Sequence, residues 1–345
     1  MNFINHHIMT YDLHGYYGFN NLGDELMLES VIAHLSKSDN IKVRCWINKS
    51  ISRNVLKIYR NKYPNVLFKK YPISFKIFNF FLHTKVHRAY WIGGNCFYSS
   101  DTPALLWLKK LTKNYHAKKV KFYFLGVGIG TITKSDKGTF EEIIKNSFKL
   151  YFREENSLNK IKHLDQNKFG ISGDLSFNIL KEYKESIKKQ EKSGYLFSGH
   201  KYFVSEKNIE PIRRSIKNTA EKFKTVDFHG GNSGDIEFNK KINLPNVTTL
   251  DTFTIDDQIK AIANSKGIVS YRLHSIVVAD FFNIPNISIN YDSKISNYHK
   301  VMKKPKEALI EIGSTFNLAN LAVGKKNNVS RESIILNDKM FYEVF

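Results

Sequence analysis

The sequence predicts an α/β protein whose two halves each contain a parallel sheet, with a cleft between the halves. Short runs rich in β-branched and aromatic residues alternate with helix-length segments along the chain, and this alternation is typical of βαβ units. A polar segment at residues 179–194 separates two stretches that have the same pattern. The length of 345 residues also fits about two domains of roughly 150 residues each.

The first half contains three segments that we expect to be strands and three that we expect to be helices. The predicted strands are residues 41–47, 88–92 and 120–125, and the predicted helices are residues 25–35, 102–115 and 136–146. The strand segments are rich in Ile, Val, Phe, Tyr and Trp, which suit a pleated, half-buried surface. An earlier apolar run, residues 8–13, precedes a glycine-rich turn.

The second half repeats this scheme. Its predicted strands are residues 195–197, 224–228 and 267–270, and its predicted helices are residues 208–223, 254–265 and 274–282. Thr254 marks the start of a helix, because it is followed by acids that suit a first turn. We therefore expect an N-terminal domain at residues 1–178, a linker at 179–194 and a C-terminal domain at 195–345.

The composition is that of an ordinary globular protein with an unusual charge. The chain is 42% hydrophobic and 25% charged, and its formal net charge is +21. This charge indicates either anionic partners or a lysine-rich surface, and both interpretations stay open. Nucleic acid is the weaker choice of partner, because the lysine-rich segments lack interleaved aromatic residues and a base-reading motif.

Several classes of protein are disfavoured. Cys45 and Cys96 form neither a metal-binding spacing nor a disulfide framework, which suits a reducing cytoplasm. The histidines show no zinc-binding spacing, so we expect no metal and no cofactor. The absence of a G-x-S-x-G elbow disfavours a serine hydrolase. Since neither a signal peptide nor a membrane-spanning segment is apparent, we expect a cytoplasmic protein.

The segment Tyr271–Ser275 joins a predicted strand to a predicted helix. In an open α/β sheet such a turn lies at the carboxyl end of the strand, where ligands bind. Arg272 can fork onto a phosphate or carboxylate, and His274 can hold or transfer a proton near neutral pH. This pair indicates an anionic substrate and acid–base chemistry.

A glycine-rich turn, residues 15–24, precedes the first predicted helix. Its glycines, Gly18 and Gly23 among them, let the backbone approach a ligand, and the helix N-terminus offers free N–H groups to an anion. On spacing alone another interpretation is equally open. In it, Asp24 is a helix N-cap and the glycines only turn the chain.

Other candidate residues follow predicted strands. Gly93-Gly94-Asn95 and the turn that contains Gly128 indicate one rim that fits closely around a ligand. Arg153 lies beside two glutamates, so a surface ion pair is its default role, although its position at a strand end favours a ligand. His200 and His229 follow strands of the second half, where a structural role is also open.

Taken together, these residues resemble the polysaccharide pyruvyl transferase family. The resemblance spans roughly residues 10–300 in the family's order. The matching stretches are Gly18–Asp24, Trp91–Asn95, Gly126–Gly128, Phe152-Arg153 with Ser157, Gly173-Asp174, Ser270–Ser275, and Ile284-Pro285 followed by Tyr291–Lys294. The Arg-Leu-His stretch with the later Tyr-Asp-x-Lys is the most specific part. One departure is Leu175, where the family commonly has proline.

The resemblance implies two Rossmann-like domains similar to the B-type glycosyltransferase fold, of which the N-terminal domain forms the acceptor side and part of the cleft. It also implies an enzyme that transfers a pyruvyl group from phosphoenolpyruvate to sugar hydroxyls of a cell-surface polysaccharide, such as a capsule or exopolysaccharide, or of its precursor. By matching positions, Arg153, Arg272 and His274 are associated with phosphoenolpyruvate, and Leu273 lies between the last two. His274 is our candidate acid and Asp24 our candidate base. The residues expected to line the cleft are Gly18, Asn20, Gly23, Gly93, Gly94, Asn95, Gly128, His229 and Lys294.

The main alternative is a sugar-nucleotide-dependent glycosyltransferase of the same architecture, because a fold does not fix a function. Such an enzyme needs a nucleotide site in the second half, for which Asp251 and Asp256 are available acids. A binding module without enzymatic activity is the third interpretation.

The aromatic segment Phe75–Leu82 is flanked by lysines. Such a segment fits either a core-packed element or an interfacial membrane element. The family resemblance also allows an acceptor that is linked to a lipid. This acceptor, the net charge and the aromatic segment together lead us to expect reversible contact with the inner face of an anionic membrane.

Overall fold

The computed structural model describes residues 8–47, 53–72, 85–94, 96–97, 102–187, 192, 194–230, 235–252, 254–322 and 329–345. The chain divides into two compact units. The first unit consists of Met1–Gly18, Leu26–Ile179 and Glu332–Phe345, and the second consists of Phe19–Glu25 and Leu180–Arg331. The domain boundaries expected from the sequence differ from these units in two places. Phe19–Glu25 belong to the second unit, and Glu332–Phe345 belong to the first.

The first unit contains a seven-stranded parallel sheet. Its strands are β1 (Met9–His14), β2 (Ile41–Ile47), β3 (Val66–Lys70), β4 (Arg88–Ile92), β5 (Lys121–Val127), β6 (Lys149–Phe152) and β7 (Phe169–Ile171). The spatial order is β3-β2-β1-β4-β5-β6-β7.

The second unit contains a six-stranded parallel sheet. Its strands are β8 (Tyr195–Ser198), β9 (Phe223–Thr225), β10 (Val247–Thr249), β11 (Gly267–Ser270), β12 (Asn286–Asn290) and β13 (Leu309–Glu311). The spatial order is β10-β9-β8-β11-β12-β13, so the first four strands of both sheets follow the same order.

Helices connect these strands along the described part of the chain. They are α1 (Leu22–Leu35), α2 (Arg53–Lys62), α3 (Thr102–Ala117), α4 (Lys137–Asn146), α5 (Glu155–Asn159), α6 (Ser176–Ser186), α7 (Glu206–Lys217), α8 (Ile236–Ile242), α9 (Ile255–Ala263), α10 (Leu273–Phe282), α11 (Ser293–Val301) and α12 (Val329–Val344). Helix α9 begins with the predicted cap, since Thr254 and Asp257 form a complete capping box. Helix α6 extends into the segment that was expected to be a linker.

Alternate residues of the first sheet pack in two separate hydrophobic clusters. On β5, Tyr123 and Leu125 belong to one cluster, whereas Phe122 and Phe124 belong to the other. Successive side chains of a strand point to opposite faces, so both faces of this sheet are buried. This is why its central strands appear in the sequence as continuous apolar runs.

The predicted fold class is confirmed, because both units are parallel α/β sheets with interleaved helices. The predicted strands are present as β2, β4, β5, β8, β9 and β11. The strands that were missed include β3, β7, β10 and β13, which are the four sheet edges. Edge strands of three to five residues are too short to show a clear pattern, and β3, β10 and β13 also contain polar side chains.

In each sheet the connections reverse direction between two neighbouring strands, β1 and β4 in the first sheet and β8 and β11 in the second. The carboxyl ends of such strands border a crevice, which is where open α/β sheets bind ligands. The carboxyl edge of each sheet is therefore the place to expect chemistry.

Among the described residues, no helix combines the length and the apolar character that a bilayer-spanning segment needs. The aromatic segment Phe75–Leu82 lies outside the described residues. Contact with an anionic membrane therefore stays a prediction.

Candidate functional site

Polar and aromatic side chains cluster at the carboxyl edge of the second sheet, and we call this cluster the second-unit site. It is built on the loops that follow β8, β9, β11 and β12, together with the start of α1. Its members are Asn20–Gly23, His200, Asp227, His229, Asp235, Arg272, His274, Tyr291 and Lys294.

Two serines fix the backbone of Arg272 at the end of β11. The Ser270 hydroxyl oxygen accepts the N–H of Arg272 at 2.9 Å. The Ser275 hydroxyl oxygen lies 2.8 Å from that of Ser270 and 2.7 Å from the Arg272 carbonyl oxygen. Helix α10 follows at once with Leu273, and most of its residues are buried. The predicted strand–turn–helix is therefore present, and it holds Arg272 in one position.

The side chain of Arg272 forms a two-point ion pair with Asp235. Its Nε lies 2.7 Å from Oδ2 and its Nη2 lies 2.5 Å from Oδ1. The Asp235 side chain is fully buried and that of Arg272 is 14% exposed. Burial alone would lower the pKa of Arg272, but the hydrogen bonds and charge of Asp235 outweigh it and raise that pKa. Within the described part of the chain no acceptor reaches Nη1.

Asp227 holds the loop that carries Asp235. Its Oδ1 accepts the backbone N–H of His229 at 2.9 Å, of Gly230 at 3.1 Å and of Asp235 at 3.3 Å. From the loop after β8, the backbone N–H of Lys201 donates to Asp235 Oδ1 at 3.2 Å. The loops after β8, β9 and β11 are thus joined at one buried carboxylate.

Several cations lie close to the two histidines of this site. Burial lowers the pKa of His200 to about 2, with the charges of Arg272 and Lys294 contributing next. The pKa of His229 is also lowered, first by burial and then by Arg272, with Asp235 opposing. Lys294 lies in the first turn of α11, and its Nζ is 5.0 Å from the centre of the Tyr291 ring. Both imidazoles are therefore neutral at pH 7, and the cations beside them favour a bound anion.

Gly23 lies directly against the ring of His274. A Cβ added to Gly23 would lie 2.0 Å from His274 Nδ1, so no larger residue fits without a shift. The backbone N–H of Leu22 donates to the Phe228 carbonyl oxygen at 3.0 Å, which anchors this turn in the second unit. The structure thus brings together two sequence candidates that are separated by about 250 residues in the chain.

The same turn contacts the loop after β9. Gly230 has a φ of +67°, and a Cβ there would lie 1.9 Å from the Phe19 carbonyl oxygen. The Gln258 side chain donates to the Asn20 carbonyl oxygen at 3.2 Å. Asn20 and His229 therefore belong to one edge, as members of the second unit.

Asp24 is not the residue that caps α1. The Asn21 side chain, which precedes the helix, accepts the N–H of Gly23 at 3.1 Å. Asp24 lies within the first turn of α1 and is half-buried. The interpretation in which Asp24 is the N-cap is therefore wrong, because Asn21 caps the helix.

The glycine turns of the first half lie at the carboxyl edge of the first sheet. The N–H of Gly93 donates to the Leu125 carbonyl oxygen at 2.7 Å, and that of Gly128 donates to the Gly94 carbonyl oxygen at 3.0 Å. Gly18, which ends the first stretch of this unit, has a φ of 91°. The predicted rim is thus a bonded set of turns, although Asn95 lies outside the described residues.

Arg153 belongs to this first-unit edge. Its N–H donates to the Val127 carbonyl oxygen at 3.0 Å, and its Nε pairs with Glu154 Oε2 at 2.9 Å. The ion pair expected from the sequence is present and partly buried, because the Arg153 side chain is 8% exposed and that of Glu154 is 25% exposed. A shared role with Arg272 on one ligand stays a prediction.

The described residues contain no group of three or more His, Cys, Asp or Glu side chains that could hold a metal ion. The expectation that the protein needs neither a metal nor a cofactor stays a prediction.

Asp227 and Asp235 are the site residues that the sequence did not indicate. Asp235 is 37 positions from its partner Arg272, and no local pattern connects the two. The available signal was the sequence stretch Gly230-Gly231-Asn232 after a predicted strand, with Asp227 before it and Asp235 after it.

Comparison with known proteins identifies a family whose model matches most of this chain. A family model described as polysaccharide pyruvyl transferase matches residues 21–293. A search of curated proteins finds no match in sequence.

Solved structures of similar fold include UDP-GlcNAc 2-epimerases and a protein complexed with UDP. The chain is similar to UDP-GlcNAc 2-epimerase from Neisseria meningitidis bound to UDP-GlcNAc, with TM-score 0.57, 12% identity, and 96% of this chain and 100% of that one covered. It is also similar to UDP-GlcNAc 2-epimerase from Methanocaldococcus jannaschii (TM-score 0.60, 12% identity, 97% and 99% covered) and to Arabidopsis thaliana UGT89C1 complexed with UDP (TM-score 0.61, 8% identity, 97% and 99% covered). These likenesses confirm the B-type glycosyltransferase fold and show the fold alone.

We predict that Gly23→Ala destabilises the protein, because the new methyl group must displace the ring of His274. Overpacking of this kind costs about 1–3 kcal/mol. Urea unfolding measures the loss. Gly138→Ala is the matched control, because a Cβ at Gly138 meets nothing within 4 Å and alanine suits its helix. Equal stability of the two variants would contradict the packing of Gly23 against His274.

We predict that His200 makes the protein lose stability in acid. The pKa of His200 is lowered in the folded protein, so as the pH falls below about 6.5 the unfolded chain takes up the proton first. Between pH 7 and 5 this costs about 2 kcal/mol of the free energy of unfolding. Urea titrations at both pH values should show that His200→Gln abolishes this part of the loss. The exposed His163, changed to Gln, should leave it intact. An unchanged loss in His200→Gln would refute the assignment.

Proposed function

Since the chain belongs to the polysaccharide pyruvyl transferase family, we propose that it transfers a pyruvyl group from phosphoenolpyruvate to two hydroxyls of a sugar. The acceptor is a cell-surface polysaccharide or its precursor, and the product is a cyclic ketal. The family match supports the pyruvyl transfer; phosphoenolpyruvate as the donor rests on the chemistry of the second-unit site.

The observation that carries this proposal is the positive charge around His200. Arg272, Lys294 and Lys201 all act on its pKa in the same direction. Phosphoenolpyruvate suits such a site, because its phosphate carries about −1.5 to −2 charges near pH 7 and its carboxylate adds one more. Arg272 Nη1 is the most directly available donor, and Asp235 keeps it aimed. In the first unit, Arg153 is the proposed second arginine.

The proposed reaction begins with protonation of the terminal methylene carbon of the donor. This makes an oxocarbenium-like centre, which one sugar hydroxyl attacks. The bond between that carbon and the phosphate oxygen then breaks, and a second hydroxyl closes the ketal. The enzyme recovers one of the two hydroxyl protons, which replaces the proton that it gave to the methylene carbon. The other hydroxyl proton leaves with the phosphate.

His274 is the proposed acid of this reaction, with Asp24 as the base for the hydroxyl. The lowered pKa values of His200 and His229 make these two rings poor proton donors near neutral pH, which leaves His274 as the stronger choice. Gly23 supports this role, because its lack of a side chain lets the turn that carries Asp24 approach the ring of His274.

A sugar-nucleotide-dependent glycosyl transfer is the second candidate, favoured by the UDP-bound proteins of similar fold. Of its two candidate acids, Asp256 already accepts a hydrogen bond from the Tyr183 hydroxyl at 2.8 Å. Stabilisation of the native protein by UDP-sugars and not by phosphoenolpyruvate would favour this candidate over pyruvyl transfer.

We predict that Arg272→Lys weakens phosphoenolpyruvate binding at least about tenfold. A lysine has one ammonium and cannot hold Asp235 at two points while offering a further N–H to the ligand. A hydrogen bond to a charged group contributes about 1.5–3 kcal/mol. The shift of the melting temperature with phosphoenolpyruvate concentration measures the affinity. Arg213→Lys is the control, because Arg213 pairs with glutamates on the surface of the same unit. Native-like affinity in Arg272→Lys would remove this residue from the donor site.

We predict that His274→Gln keeps phosphoenolpyruvate binding but lowers turnover about 10²–10⁴-fold, the usual contribution of a general acid. Turnover is measured as phosphate release with acceptor glycan isolated from the source cells, and binding as the thermal shift. His163→Gln should behave like the native protein. Lost binding with an unchanged saturated rate would make His274 a binding residue and not the acid.

A further inference from the structure

A cavity of about 260 Å³ lies beside the second-unit site, at the same carboxyl edge of the second sheet. We call it the Asp251 cavity. Among its walls are Asn20, Asp227, Ile236, Lys240, Leu250 and Asp251. It adjoins the Arg272 ion pair through Asp227, whose Oδ1 holds the backbone of Asp235.

The carboxylates of this cavity keep free acceptor atoms. Asp227 uses Oδ1 for backbone N–H groups, and among the described residues no donor reaches its Oδ2. Among the described residues no donor reaches either carboxylate oxygen of Asp251, which is exposed at the rim of the cavity. A ligand with several hydroxyl groups can donate to these oxygens, since an ionised carboxylate only accepts hydrogen bonds.

Size and charge narrow the class of ligand. Pockets for drug-sized molecules measure about 300–1,000 Å³, so this cavity suits a single ring better than a nucleotide-sugar. Two carboxylates face one ammonium, that of Lys240, in a chain whose net charge is +21, and this disfavours a phosphate. Ile236 and Leu250 add apolar surface, which suits the C–H face of a sugar ring.

We propose that the Asp251 cavity binds one monosaccharide ring of the acceptor glycan. This inference rests on the proposed function, because it places acceptor hydroxyls beside the donor site at Arg272. The exposed rim at Lys240 and Asp251 leaves room for the glycan to continue into solvent. The sequence had assigned the acceptor to the first domain, but Asn20, one of its cleft candidates, lines this cavity of the second unit.

Methyl glycosides of galactose, glucose and mannose are suitable probes, with binding followed by saturation-transfer NMR on the full-length protein. Asp251→Ala removes the rim carboxylate, and Thr249→Trp fills the cavity from an exposed position. Each should weaken glycoside binding at least tenfold. Thr248→Trp is the matched control, because neighbouring residues of a strand point to opposite faces and Thr248 is also exposed. Asp39→Ala, at an exposed site of the first unit, controls for lost charge.

The phosphoenolpyruvate thermal shift is measured on the same proteins and should be unchanged in all of them. Glycoside binding that survives both Asp251→Ala and Thr249→Trp overturns the proposal, and so does the absence of binding by every glycoside. Glycoside binding at this cavity in a protein that phosphoenolpyruvate does not stabilise would sink the proposed function and leave the sugar site standing.

Discussion

The second-unit site depends on the ion pair between Arg272 and Asp235. A fully buried carboxylate is costly unless it is paired and hydrogen-bonded, and Asp235 meets both conditions through the guanidinium and the Lys201 N–H. The pair couples three loops, since Asp227 fixes the Asp235 backbone. Removal of one partner of a buried pair typically costs about 3–5 kcal/mol. The geometry of the site is therefore tied to the stability of the second unit.

The ion pair with Asp235 involves only one of the cations near His200. Arg272 is neutralised by Asp235, yet its field still lowers the pKa of His200 and of His229. Lys294 and Lys201 add to the field at His200, and both imidazoles respond by staying neutral. These cations would stabilise an anion bound beside the two imidazoles.

Local patterns in the sequence predicted most of the fold and indicated most residues of the second-unit site, but not the two carboxylates that join its loops. The turn at Arg272 and His274 was visible because an apolar strand, a charged pair and an apolar helix follow one another directly. Asp235 was not visible, because its role comes from a contact across 37 residues. The need for glycine at position 23 was likewise hidden, since it arises from the ring of His274 and not from the local turn. The predicted domain boundaries failed to place Phe19–Glu25 for the same reason.

The parallel sheets explain why the second-unit site and the glycine turns of the first unit both lie on loops. In the first sheet the two faces are buried under separate hydrophobic clusters, so a ligand has no face to bind. What remains is the carboxyl edge, where Gly93, Gly94 and Gly230 adopt positive φ and let loops approach one another closely. The likeness to UDP-bound proteins is a likeness of fold, and a fold does not dictate the side chains at this edge. In this chain the second-sheet edge holds a guanidinium fixed by a buried carboxylate beside two neutral imidazoles. These groups, and not the architecture, are the reason for proposing a small anion as the ligand.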